Sequence, residues 1–541
     1  MNRVVMNRRS FGLGMWAAVL AGALVIFAGA GDPANAQSIA YKQAVAAAAS
    51  DDPEVLKFYQ DRDFKPIWTS NADRSRRTAF LDAASKAWIH GLPTSRYDAE
   101  EIKKDFGNIR SAKARGLVEV ATTKKFLQYA QDIQSGVLDP RRLAKDMALK
   151  PPRRDRVQLL DAFLKSTPSA FMRALPPQHP DYARLLKEKA RLERVLGRGG
   201  WGDKVPGGKL KLGGTSNNVV ALRARLMEFG FRGLGNSPEF DEGLETVVKT
   251  FQTDHGLNSD GVVGSATLAA VNTSAQTRLQ QVIIGLERQR WLNKPRGARH
   301  IFVNQAAFTG YVMDNGKVTL ETRVVVGKRG SKFRTPEFED VMTHLIVNPT
   351  WHVPRSIATQ EYLPMLKENP AALARQGITM IDVSGRRVDS TSLDYSQFDV
   401  KNFPFDLKQP PGRGNALGTV KFMFPNRFNV YLHDTPSKSL FGRDIRAYSH
   451  GCVRVQKPHE LAYTLLGRQS SDPIGLFKNT LASKVETQID LREPLPVYLV
   501  YHTAWVSPDG RANYRLDTYG RDKLVFNALQ KAGVTLHAVR S

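Results

Sequence analysis

With 541 residues and 42% hydrophobic side chains, the chain can bury several cores, and it should divide into roughly three or four globular domains. No long low-complexity segment or internal repeat is visible, which sets aside fibrous and solenoid architectures. The 78 basic against 52 acidic residues give a formal charge of +26, which calls for an acidic environment or partner, although the basic residues are spread too evenly to mark one site.

The N-terminus, MNRVVMNRRSFGLGMWAAVLAGALVIFAGAGDPANAQS, opens with Arg3, Arg8 and Arg9. It continues for 21 residues from Phe11 to Gly31 without a charge and reaches Ala34-Asn35-Ala36 before Gln37. A basic stretch, an apolar stretch and an A-x-A site predict an export signal over residues 1–36, removed after Ala36. The same apolar run is long enough for an uncleaved anchor, but the cleavage site favours removal, after which no membrane span remains. Arg8-Arg9 followed by Ser10-Phe11 resembles a twin-arginine signal, from which Asn7 and Gly12 depart. An exported chain meets acidic lipids and anionic wall polymers, so nucleic acid is not the expected partner of the positive charge.

From Gln37 to Pro206 the pattern is mostly helical. ARGLVEVATTKKFLQYAQDIQSG and DYARLLKEKARLERVLGRGG carry apolar residues at helical spacing and end in glycine. No His, Cys or paired carboxylates gather there in a ligand spacing, so residues 37–206 are expected to be a helical scaffold domain without chemistry. GRGGWGDKVPGG is the linker that ends it. Residues 211–275 make a compact unit with helices over Asn218–Phe229 and Glu242–His255, a stop at Gly230 and a third helix capped by Ser265. TVVKTFQTDHGL followed by DGVVGSATLAAVN resembles the small three-helix peptidoglycan-binding module. Phe251 and Leu257 count for its fold, and the module serves equally well as glycan binder or spacer.

After Arg299 the texture turns to strands, with a hairpin signal at Asp314-Asn315-Gly316. NPTWHVPRSIATQEYLPMLKENPAALARQGITMIDVSGRRVD is more helical with a closing hairpin, and predicts an insertion over about 355–409 lying as a lid across a cleft. KFMFPNRFNVYLHDTP returns to strand, and alternation puts Tyr431 and His433 on one face, Val430 and Leu432 on the other. PVYLVYHTAWVSPDGRANYRLDTYGRDKLVFNALQKAG adds a hairpin at Pro508-Asp509-Gly510 and a last helix; His502 is expected to pack rather than react.

Cys452, in RAYSHGCVRV, is the only cysteine of the chain. In an oxidising compartment an unpaired thiol signals a partner chain or a reactive group, against the alternative of a buried structural cysteine. Arg446, His450 and Arg454 lie within six residues of it and are expected to favour the thiolate, lowering a pKa of about 8.5. That setting points to a nucleophile, which needs a base within hydrogen-bond reach and donors aimed at the developing oxyanion.

His433, fifteen intervening residues and then Ser449-His450-Gly451-Cys452-Val453-Arg454 resemble the catalytic signature of the L,D-transpeptidase, or YkuD, family. The resemblance extends to NPTWHVPRSI, PPGRGNALGTVKFMFPN and YLHDTPSKSLF. The order of scaffold, peptidoglycan-binding module and catalytic domain with an insertion is similar to the large periplasmic YcbB-like branch. It implies a multidomain α+β chain: helical scaffold, three-helix module, and a mostly β, sandwich-like catalytic domain over 298–541 with its inserted lid. By the same resemblance Cys452 is the nucleophile and His433 the base and later acid. Ser449 and His450 shape the cleft, and the backbone N–H groups around Gly451 and Cys452 are candidates for the oxyanion hole. Arg454 stands where some members carry Asn; it either holds a substrate carboxylate with two hydrogen bonds or braces the loop against an acid. Tyr431 and Trp351 correspond to aromatic positions of the site, with a core role equally open for Trp351.

The implied reaction joins the third residues of two peptidoglycan stems through a cysteine thioester, in the periplasm, with release of terminal D-alanine. It uses no cofactor and no metal, and the sequence has no metal-ligand cluster. The implied partners are stem peptides and glycan. Water as acceptor would make the enzyme an L,D-carboxypeptidase, and an amine on an outer-membrane protein would make it an anchor to the wall. A non-catalytic wall-binding scaffold is opposed by the presence of His433, His450, Gly451 and Cys452, and a papain-type peptidase by the residues around Cys452 and the β-rich texture.

Overall fold

The computed structural model describes residues 33–540. The expected signal peptide lies outside the described residues except for its last four, which fall in the opening helix Pro33–Ala48. Among the described residues no helix is long and apolar enough to cross a membrane.

The stretch from Pro53 to Gly197 is helical, as its apolar spacing predicts, with the longest helices at Ala112–Ser135 and Pro180–Gly197. Two compact units emerge. One comprises the residues up to Arg74 together with Ile102–Lys124; the other comprises Ser75–Glu101 and everything from Lys125 onward. In the first, the buried Glu119 carboxylate accepts from the Ile67 and Thr69 N–H groups and from the Tyr59 hydroxyl, partners without which a buried carboxylate would be costly. In the second, residues expected to belong to a separate scaffold share a core with the C-terminal half. Met147, Leu149, Tyr182, Leu185 and Leu192 form one cluster with Leu279, Trp291, Val500 and Val525. The helix Pro180–Gly197 has an apolar face that must be covered, and the helix Ala275–Trp291, which lies between the expected domains, joins it in that cluster.

The three-helix module has helices at Asn217–Glu228, Glu242–Asp254 and Ser265–Val271. Gly230 takes φ +102° where the first helix stops, a conformation that favours glycine. Ser265 is the first residue of the third helix rather than its cap; Gly264 occupies the cap position. Phe251 is buried in the module's core with Leu222, Leu244 and Val248, and Leu257 is half-buried.

The C-terminal half contains β1 (Arg299–Asn304), β2 (Thr309–Asp314), β3 (Lys317–Gly327), β4 (Phe338–Val347), β5 (Trp351–His352), β6 (Thr379–Ile381) and β7 (Arg387–Val388). After them come β8 (Asp406–Gln409), β9 (Val420–Met423), β10 (Leu432–His433), β11 (Ala447–Ser449), β12 (Val453–Val455) and β13 (Thr487–Val500). Nine of these form one sheet in the order β11-β3-β12-β10-β9-β4-β13-β1-β2, and β2 pairs again with β3. The sheet therefore closes on itself. It does so because β3, 11 residues long, pairs with β2 along its first part and with β12 and β11 near its end. The predicted β2–β3 hairpin is present, with Asn315 and Gly316 both at positive φ, as a two-residue turn between twisted strands requires. Inside the closed sheet lie Val303, Val324, Leu345, Val347, Phe422, Leu432, Val453 and Val455.

The insertion is a subdomain with its own sheet, ordered β5-β8-β6-β7, and its own core around Tyr362, Leu366, Met380, Phe403 and Leu407. It starts at Trp351 rather than Arg355, because β5 pairs with β8. The predicted C-terminal hairpin is formed by Ala504–Val506 and Ala512–Tyr514, followed by the helix Arg521–Lys531.

Candidate active site

The site is built on one face of three short neighbouring strands. β10 pairs in parallel with β12, Leu432 opposite Val453 and His433 opposite Arg454, and the Val453 N–H donates to the Tyr431 carbonyl at 3.0 Å. Successive side chains alternate between faces. With Leu432, Val453 and Val455 fixed in the core by burial, Tyr431, His433, Cys452 and Arg454 must face the other way. β9 adds Lys421 directly opposite His433. The Tyr431 and His433 rings lie edge to face, with centroids 5.7 Å apart.

His433 is buried, and its Nδ1 lies 2.5 Å from the Asp434 carbonyl oxygen. A carbonyl only accepts, so Nδ1 carries the proton and Nε2 keeps its lone pair. Burial holds the imidazole neutral, lowering its pKa to about 3, and the charges of Arg454 and Lys421 push the same way against Asp434. This is the electronic state of a base.

The thiol departs from its sequence-based expectation. Burial pushes Cys452 up to about 11, and hydrogen bonding from Tyr431 with the charges of Arg454 and Lys421 only partly offsets it. Two of the three expected cations do not serve the sulfur. Arg446 donates to the carbonyls of Arg443 and Phe308. His450 Nε2 pairs with Glu361 and sits 3.3 Å from Lys328 Nζ. Sequence proximity misjudged their direction, because β11 and the turn after it aim alternate side chains apart. The Cys452 Sγ lies 3.7 Å from the Asn429 carbonyl oxygen.

The turn before Cys452 is held from within and from behind. Ser449 is buried, and its hydroxyl donates to the Cys452 carbonyl at 2.5 Å while accepting from the Gly451 N–H at 3.1 Å. Gly451 has φ +123°, which an L side chain rarely adopts. Its N–H is thus engaged by Ser449, and of the two candidate oxyanion donors the Cys452 N–H alone has no such partner among the described residues. Behind the turn, the Thr335 hydroxyl donates to the Gly451 carbonyl at 2.7 Å and accepts from the Gly327 N–H at 2.9 Å. Tyr519 donates to the Gly327 carbonyl at 2.6 Å. Neither Thr335 nor Tyr519 carries a local signal in the sequence; each acts through a partner more than a hundred residues away.

Tyr431, His433, Ser449, His450, Cys452 and Arg454 line a cleft of about 940 Å³ that also takes in Trp351, Glu361, Tyr362, Arg375 and Gln376 from the inserted subdomain. Trp351 packs on the subdomain core, edge-on to Tyr362 at 6.3 Å, and also lines the cleft. Arg454 lines the cleft without an ion pair among the described residues, and its Nε is buried without a hydrogen-bond partner, so no acid braces it.

Comparison with known proteins bears on this arrangement. Residues 298–485 match the L,D-transpeptidase catalytic domain, residues 215–271 the "Putative peptidoglycan binding domain" and residues 53–188 the Scaffold domain. The chain carries an L,D-transpeptidase catalytic domain. A Haemophilus influenzae protein named "Putative L,D-transpeptidase" is 35% identical over 256 residues, 47% of this chain and 51% of that protein. The chain thus spans about half the length of this relative. Solved structures with a likeness include an L,D-transpeptidase from Xylanimonas cellulosilytica (16% identity, 55% of this chain and 100% of that one, TM-score 0.16). Another is an L,D-transpeptidase from Stackebrandtia nassauensis (14% identity, 55% and 95%, TM-score 0.21). At such TM-scores the likeness carries no weight. Within the matched catalytic domain, Ser449, His450, Cys452, Arg454 and His433 all line the cleft described above.

Proposed function

We propose that the protein is a periplasmic L,D-transpeptidase that forms third-to-third peptidoglycan crosslinks through a thioester on Cys452. The observation that carries this reading is the pairing of β10 with β12. It puts a neutral imidazole with a free Nε2 on the same sheet face as the sole thiol. His433 Nε2 takes the Cys452 proton as the sulfur attacks the carbonyl carbon of the third residue of a tetrapeptide stem. The oxyanion that forms is met by the Cys452 N–H. Collapse breaks the C–N bond to the terminal D-alanine, whose amine receives the proton from His433, and a thioester remains. The side-chain amine of a second stem then attacks the thioester carbonyl, giving its proton to Nε2. The C–S bond breaks and the proton returns to sulfur, so the net reaction exchanges one peptide bond for another and frees one D-alanine.

The high thiol pKa makes His433 necessary, since little thiolate exists before substrate arrives. The unpaired Arg454 guanidinium, which shares the cleft lining with Arg375 and Lys332, suits a substrate bearing several carboxylates. Ser449 and Gly451 shape the turn, Tyr431 contacts the sulfur, and Trp351 with His450 lines the cleft.

Incubation of the protein with purified disaccharide tetrapeptide, followed by mass spectrometry, tests the reading. The expected product is a crosslinked dimer lighter by one D-alanine, absent with Cys452→Ala. Tripeptide alone would instead identify a carboxypeptidase, and no Cys452-dependent product would leave a protein amine as acceptor or an inert scaffold.

A further inference from the structure

The strand register leaves one cation on the catalytic face without a role. Lys421 on β9, His433 on β10 and Arg454 on β12 are successive partners across three strands, forming a single row. Cys452 and Tyr431 form the next row. Lys421 is half-buried and has no ion pair among the described residues. The neighbouring acids are committed elsewhere or set back. Asp434 pairs with Lys438 and accepts from the Thr419 N–H and hydroxyl at 2.9 and 2.8 Å. Glu486 accepts from the Thr350 N–H at 2.5 Å and offsets Lys421 at longer range, as it does His352. A half-buried ammonium without an ion pair is costly unless a negative charge develops within its field, and the Cys452 sulfur lies within reach of that field. Ordinary packing would be served at lower cost by an aliphatic residue there.

Resting on the Cys452 nucleophile proposed above, the geometry points to Lys421 as a positioning residue: with Arg454 it supplies the positive field in which the Cys452 sulfur carries negative charge during acyl transfer. Its charge also falls on His433, which sits between the two cations; burial first, and then these charges, keep the resting imidazole neutral. Lys421 acts through the sulfur and the imidazole and has no place on the cleft wall.

Because Cys452 is the sole cysteine, alkylation of the intact protein by iodoacetamide as a function of pH reads the sulfur alone, whichever reaction it performs. Lys421→Met should move the alkylation midpoint up by about half a pH unit or more, about threefold in rate at pH 8. Lys421→Arg should restore it, and Glu486→Gln, which removes the offsetting acid, should move it down. Superimposable Lys421→Met and wild-type profiles overturn the proposal, as does a loss that Lys421→Arg fails to restore. If Lys421→Met does not fold, Glu486→Gln decides: a downward shift supports the proposal and an unmoved profile overturns it. D-alanine release by the wild type, followed in parallel, tests the reaction assignment separately.

Discussion

At the scale of single residues, the site separates chemistry that is spelled out locally from chemistry imposed by surroundings. Cys452 and His433 stood out in the sequence because a lone thiol and a histidine at a fixed spacing resemble a specific signature. The state of the thiol was not. Neighbours in sequence suggested a lowered pKa, whereas burial raises it to about 11, and Arg446 and His450 point elsewhere. The sign of the pH dependence follows. The free thiol gains thiolate as pH rises towards 11, while His433, lowered to about 3, stays neutral from pH 5 upward and sets no acid limb of its own. Iodoacetamide alkylation of the free protein should therefore climb about tenfold per pH unit between pH 7 and 9. A plateau near pH 7 would show an activated resting thiolate instead. Thr335 escaped notice because a threonine that holds the Gly451 carbonyl from 116 positions away looks like any other in sequence.

At the scale of elements, the face that bears His433 and Cys452 depends on strands of two and three residues, β10 and β12. Such short strands cannot be stable alone; β3, paired with β12, and β4, paired with β9, fix their register from either side. Alternation along KFMFPNRFNVYLHDTP placed Tyr431 and His433 together, but only pairing could place Lys421 and Arg454 on either side of His433. The inserted subdomain was legible as an interruption between strands, and its lining of the cleft was the expected outcome. What joins it to the turn before Cys452 was not foreseen: Glu361 pairs with His450, with Lys328 Nζ 3.9 Å away. Glu361→Gln should loosen this joint. Partly exposed pairs are worth about 0–1 kcal/mol, so the expected effect is a rise in KM of up to about fivefold with kcat within about twofold. Steady-state D-alanine release measures both, and an equal fall in kcat and kcat/KM would place Glu361 in the transition state instead.

At the scale of the whole molecule, the region matching the catalytic family, residues 298–485, is not a folding unit. It lacks β13, which stands between β4 and β1 in the sheet, and it lacks the C-terminal helix whose Arg521 reaches the site from behind. Arg521, fully buried, donates to the Thr335 carbonyl at 2.8 Å and pairs with Asp146 at 2.7 Å and Glu337 at 3.3 Å. Residues 298–485 expressed alone should give no cooperative urea transition and no labelling at a defined site, whereas the intact chain should give both; a cooperative transition in the fragment would refute this account of the core. The sequence by itself determined the order of helical, three-helix and β-rich regions, the turn glycines and the insertion, and it singled out His433 and Cys452 as candidates, because periodicity, turn chemistry and motif spacing are local properties of a chain. Closure of the sheet through β3, fusion of residues 125–206 with the C-terminal core, the raised thiol and the row of Lys421, His433 and Arg454 were decided only by the tertiary structure. Burial, strand register and the direction of a side chain depend on which distant segments pack against it.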